Sequence, residues 1–116
     1  MRWVVMKISD FDMVLSRVTK PARYTDGEWN AVHKDPAKVR ARFALIYPDA
    51  YEVGMSHLGL HILYHILNSH PDYAAERAFA PWPDMEQELR ARRLPLMSLE
   101  SRAALREFDV VGITLP

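Results

Sequence analysis

Cysteine is absent from the 116 residues, which removes disulfides, thiolate zinc sites, cysteine nucleophiles and cysteine-ligated iron–sulfur clusters in one step. No charge of either sign is in excess. Fifteen basic residues balance fifteen acidic ones, so no net field draws the chain to nucleic acid or to an anionic membrane surface. Long apolar runs are missing too: none approaches the roughly 20 residues that cross a bilayer, and Met1 to Asp10 lacks the cationic and apolar blocks of a signal peptide. A cytoplasmic location is expected, with neither nucleic acid nor membrane as partner. What remains is 49% hydrophobic and 26% charged, the composition of a single globular domain with a modest core.

Two unequal parts are expected. In residues 1–38, Phe11, Val14, Leu15 and Val18 recur at helical spacing behind Asp10 as a cap, and Pro21 stops that helix. Turn chemistry follows, with Asp26-Gly27 between Tyr24 and Trp29 and Asp35-Pro36 at the close, which predicts an extended arm or small hairpin laid on the larger unit.

Residues 39–116 alternate apolar runs with helical patterns, the signature of strand-helix-strand units around a mostly parallel sheet. Phe43 to Tyr47 is continuously apolar, as a strand covered on both faces would be. A helix is predicted from His57 to Asn68, with Leu60, Leu63, Tyr64 and Leu67 on one face. A second strand is predicted from Glu76 to Ala80, then a helix from Met85 to Arg93 with Asp84 as cap and Gln87 completing a capping box. Glu86 with Arg90 and Glu88 with Arg92 supply (i, i+4) pairs on its wet side. Leu96 to Leu99 reads as a short strand, and Val110 to Thr114 as the clearest strand of all, with the pattern of a central one. The expected fold class is α/β: a partial doubly wound, Rossmann-like or flavodoxin-like, mostly parallel sheet, cut short at Pro116 and preceded by a short helix and an extended arm.

Open α/β sheets bind ligands at the carboxyl ends of their strands, where a helix N-terminus offers free N–H groups. The segment after the first strand therefore holds the candidate ligand-contacting residues Asp49, Glu52, Gly54, Met55, Ser56, His57 and Gly59. Gly54 and Gly59 have the spacing of a P-loop, but Leu60-His61 stands where Lys and Ser or Thr belong, and no G-x-G-x-x-G occurs. The same glycines also suit a tight turn with Ser56 as helix cap. His57, His61 and His65 form one helical stripe without a carboxylate in the H-E-x-x-H arrangement, so they are expected to be structural or solvent-facing, and no metal ligands are assigned. Trp82, between Pro81 and Pro83, suits packing or stacking on a ligand. No nucleophile, base and orienter assemble from these motifs, and no catalytic residue is assigned.

The strings Lys20 to Tyr24, Gly27 to Asn30, Tyr47 to Leu60, Ala78 to Glu86, Pro95 to Ser101 and Phe108 to Gly112 closely resemble the opening of a bacterial family of radical SAM proteins. In that family a Rossmann-like domain related to cobalamin-binding domains precedes a barrel that holds a four-iron four-sulfur cluster through C-x-x-x-C-x-x-C and cleaves S-adenosylmethionine. The resemblance implies that residues 39–116 are an incomplete cobalamin-binding-type domain. The chain as a whole would then be an N-terminal accessory domain, and its partner the remainder of its own polypeptide, the radical SAM barrel. Cluster and S-adenosylmethionine would belong to that remainder, and no cofactor is assignable to this chain. The cobalamin motif D-x-H-x-x-G is missing around His57, so cobalamin would need another mode. The alternative is a self-contained module binding a corrinoid or nucleotide-like ligand through the Asp49 to Gly59 loop.

Overall fold

Apolar and aromatic runs form the strands and the amphipathic stretches between them form helices, giving a sheet of three strands. The computed structural model describes residues 10–25 and 30–115. In chain order the elements are α1 (Asp10–Leu15), β1 (Ala41–Tyr47), α2 (Tyr51–Gly54), α3 (Leu58–Ser69), β2 (Tyr73–Phe79), α4 (Pro83–Ala91) and β3 (Val110–Ile113), with short 3-10 turns at Pro21–Arg23, Pro36–Lys38 and Leu105–Glu107. The sheet order is β2-β1-β3 and every pairing is parallel. This is an open α/β sheet, consistent with part of a Rossmann-like fold, as expected from the alternation of apolar runs and helical patterns.

Register sorts the side chains between two faces. Leu45 lies opposite Arg77, and Tyr47 opposite Phe79, and these odd positions face α3, whose Leu60 and Tyr64 complete a core with Ala75 and Leu99. Leu60 is fully buried, a burial that stabilises by about 1.5–3 kcal/mol. The other face carries small residues, Ala44, Ala74 and Ala78, and Glu76. A second cluster, Val14 and Val18 with Met85 and Leu89, fastens the segment around α1 to α4.

Several boundaries differ from expectation for local reasons. α1 ends at Leu15, before Pro21, since Ser16 bonds back to Met13 O and the chain leaves the helical path. α4 begins at Pro83 with Trp82 as N-cap, because proline is preorganised for the first helical position; Asp84 lies inside the first turn instead of before it. The described part of the arm holds 3-10 turns and no strand, and its Asp26-Gly27 turn lies outside the described residues. Residues 96–99 form no strand of the sheet.

They nonetheless run beside the outer edge of β2. Leu99 N–H donates to Arg77 O at 2.7 Å, and Arg77 N–H donates to a carboxylate oxygen of Glu100 at 2.9 Å. One main-chain bond and one side-chain acceptor thus close the exposed edge that β2 would otherwise present. Side chains alternate about this segment as they would in a strand: Leu99 joins the core on the α3 side, while Ser98 Oγ donates to Glu76 Oε1 at 2.6 Å on the other.

Arg77 is completely buried and its Nε lies 2.9 Å from Glu100 Oε2. The guanidinium sits 4.1 Å over the Tyr64 ring and points Nη1 at Met55 Sδ, leaving Nη2 without a hydrogen-bond partner among the described residues. Removing one member of such a pair strands the other charge in low dielectric. Arg77→Met is expected to cost about 3–5 kcal/mol in urea unfolding, and the companion change Glu100→Gln on that background recovers part of the loss; a double variant no better than the single would show that the cost lies in packing instead of charge. Gly54→Ala provides a second check, because a Cβ there would overlap the Phe79 ring; a loss of about 1–3 kcal/mol is expected from overpacking.

Candidate functional site at the carboxyl end of the sheet

All three strands point their carboxyl ends to one side, and the connections leaving β1 and β2 meet there. Asp49 O accepts the Ala80 N–H at 2.9 Å, which locks the two loops together. Between them lies an open cleft of about 270 Å³ walled by Pro48, Asp49, Ala50, Pro81, Trp82 and Pro83. Beside it the arm is strapped over the corner between β2 and α4.

The structure distributes the seven candidate residues unequally. Asp49 lines the cleft; one carboxylate oxygen accepts the Ala50 N–H. Glu52 is drawn away by Arg23, whose Nε lies 2.6 Å from Glu52 Oε1. Gly54 is buried against Phe79, because only a residue without Cβ lets α2 approach that ring. Met55 lies at the Arg77 guanidinium, and its carbonyl accepts from His61 Nε2 at 2.5 Å. Ser56 does not cap α3: its hydroxyl donates to Glu52 O. His57 takes that position, its Nδ1 accepting the Leu60 N–H at 3.1 Å while its ring packs 4.8 Å from Tyr47. Gly59 makes room for that ring, since a Cβ there would sit 2.9 Å from the imidazole.

This arrangement speaks against a phosphate cradle. The first turn of α3 spends an N–H on His57, and no lysine or arginine lines the cleft. Of the histidine stripe, His57 and His61 serve main-chain atoms and His65 is exposed; no group of three or more His, Asp or Glu able to hold a metal ion occurs among the described residues. No helix among them is long and apolar enough to cross a membrane.

Sequence reasoning missed the buried polar residues. Glu76 accepts from Ser98 and Ser101 and lies 3.6 Å from Arg42, while Glu100 holds Arg77. Their only signal was charge inside an otherwise apolar strand, Glu76-Arg77. Burial pushes the Glu100 carboxyl up despite the adjoining guanidinium, and it pushes the Tyr64 hydroxyl up as well.

The arm's anchors carry the opposite shift. The hydrogen bond from Arg23 holds Glu52 below the ordinary carboxylate range, and the Thr19 N–H, 2.9 Å from Asp84 Oδ2, does the same for Asp84. Because both folded-state values are depressed, the stabilisation they give is present above the ordinary range, about pH 4, and is lost as pH falls through the depressed values. Glu100, raised in the fold, contributes with the reverse slope. Thermal melts of the chain and of Glu52→Gln/Asp84→Asn should therefore differ most near neutral pH and converge as pH falls below the ordinary carboxylate range; a constant gap from neutral to acid pH would mean that the carboxylates do not titrate with the arm.

Comparison with known proteins yields a family match. The family model described as radical SAM proteins, N-terminal, covers residues 59–116, half of the chain. Neither the curated proteins nor the solved structures provide a match. Radical SAM proteins use an iron–sulfur cluster and S-adenosylmethionine, and the cluster's usual thiolate ligands cannot come from a sequence without cysteine; the residues present do not fit that group. The matched region takes in nearly all of α3, then β2, α4, Glu100 and β3, and on that match the chain belongs to the family of radical SAM N-terminal regions.

Proposed function

We propose that this chain is a noncatalytic accessory domain that docks on a radical SAM barrel of the same polypeptide and helps cover its substrate cavity, with cluster and S-adenosylmethionine held by the barrel. The observation that carries this reading is the apolar surface left exposed on β3 and on α3. Val110, Val111 and Ile113 are each about half exposed although they sit in the sheet, and α3 adds exposed Leu58, Ile62, Leu63 and Ile66. Unprotected apolar strand edges are normally covered or charged. Here no charged residue interrupts the strand, which suits permanent coverage by another folded unit. The family match supports the identity of that unit.

A cobalamin-binding-type ancestry for the domain is the finer part of this proposal. Its support is the parallel order β2-β1-β3, the first three positions of a flavodoxin-like sheet. The residues of D-x-H-x-x-G are missing around His57, whose Nδ1 caps α3, so the ancestry would have been kept in the fold alone.

The test compares the chain alone with the chain joined to a downstream segment bearing C-x-x-x-C-x-x-C. Alone, it should bind a hydrophobic dye strongly through the exposed β3 and α3 residues; joined, dye binding should fall and the melting temperature rise. Weak dye binding by the isolated chain that does not change on joining would count against the accessory role.

A further inference from the structure

Trp82 is 44% exposed, an unusual outlay of apolar surface for a ring held this firmly. Proline flanks it on both sides, its main-chain N–H donates to the Tyr24 hydroxyl at 3.2 Å, and the Arg23 guanidinium lies 4.3 Å over its ring. Arg23 is fixed in turn by Glu52. The indole is therefore preorganised, and preorganisation reduces the ordering cost of binding. Asp49, exposed, lines the same cleft, with one carboxylate oxygen on its own loop and the other without a partner among the described residues.

We propose that this cleft binds a nucleoside, its base stacked on Trp82 and its hydroxyl or amino donors received by Asp49. The site lies where the connections of β1 and β2 leave the sheet, on the side that open α/β sheets use for ligands, and at about 270 Å³ it is a little smaller than the usual ligand cleft. Stacking on an exposed indole selects a planar ring of any sequence identity. The free carboxylate selects hydrogen-bond donors and a neutral or positive charge. Phosphorylated forms are disfavoured because no basic side chain lines the cleft and the one guanidinium beside it, that of Arg23 over the Trp82 ring, is paired with Glu52. Asp84 and Glu86 in the first turn of α4 add negative charge nearby. This reading uses none of the apolar surface assigned to the barrel and stands or falls separately from the accessory role.

The chain contains three tryptophans, so Trp3→Phe with Trp29→Phe leaves Trp82 as the sole reporter. Adenosine is expected to change its fluorescence saturably, ATP to bind at least about tenfold more weakly, and Asp49→Asn to weaken adenosine by about tenfold while leaving the melt unchanged. Should the two phenylalanine changes disturb folding, magnetisation transfer from the unsubstituted chain to the adenine ring protons gives the same readout. Absence of a saturable signal, ATP binding as tightly as adenosine, or an Asp49→Asn variant that binds like the parent would each overturn the proposal.

Discussion

The ion pair between Arg77 and Glu100 is the constraint around which the other parts arrange themselves. A parallel sheet needs both faces and both edges resolved, and this pair resolves one edge and half of one face together. Glu100 takes the outward N–H of Arg77 as well as its guanidinium, so the carboxylate replaces a main-chain acceptor that no neighbouring strand supplies. The segment carrying it then lies along β2, which places Leu99 in the core and Ser98 against Glu76. On the inner side the guanidinium rests on Tyr64, whose hydroxyl in turn accepts the Val32 N–H from the arm at 2.8 Å. Arm, α3, β2 and the loop before β3 are thus held through one buried cation. Such pairs gain little over an apolar replacement; what this one supplies is a defined register for a segment too short and too proline-bounded to pair as a strand.

The two sides of the sheet are treated in opposite ways. Among the described residues, the β2 edge is closed by polar groups, and the β3 side carries exposed apolar residues. Charge decides the difference. A charged side chain pointing into the β2 edge prevents another chain from adding there, while Val110, Val111 and Ile113 oppose nothing to an incoming apolar surface. The carboxyl end is different again: proline-rich loops, one fixed indole and one free carboxylate form a small, rigid, polar-tipped cleft, with the arm strapped beside it by Arg23, Tyr24 and Thr19.

Within the candidate loop, most residues singled out by type are occupied with holding the chain. Gly54 and Gly59 admit rings of Phe79 and His57, Ser56 and His61 satisfy carbonyls, and His57 caps α3. Their spacing imitated a phosphate loop because a strand-turn-helix connection needs small residues and caps whether or not it meets a ligand. Asp49 and Trp82, which converge in the cleft from different loops, are 33 positions apart in sequence (82 − 49), and no local pattern joins them.

Sequence alone determined the α/β class, the existence of α3 and α4, the positions of β1, β2 and β3 to within a few residues, the resemblance to the radical SAM family and the exclusion of cysteine-ligated clusters. These depend on local periodicity, turn chemistry and composition, which act over one or two turns or strands and are legible in order along the chain. Tertiary structure decided the rest. Whether Leu96 to Leu99 becomes a strand, which of Leu60 and Leu63 is buried, and which partner Glu52 or Arg77 finds all depend on contacts between segments far apart in sequence. Burial and ion pairing are properties of the assembled layers, and hydrophobic spacing cannot specify them until the opposing layer is in place.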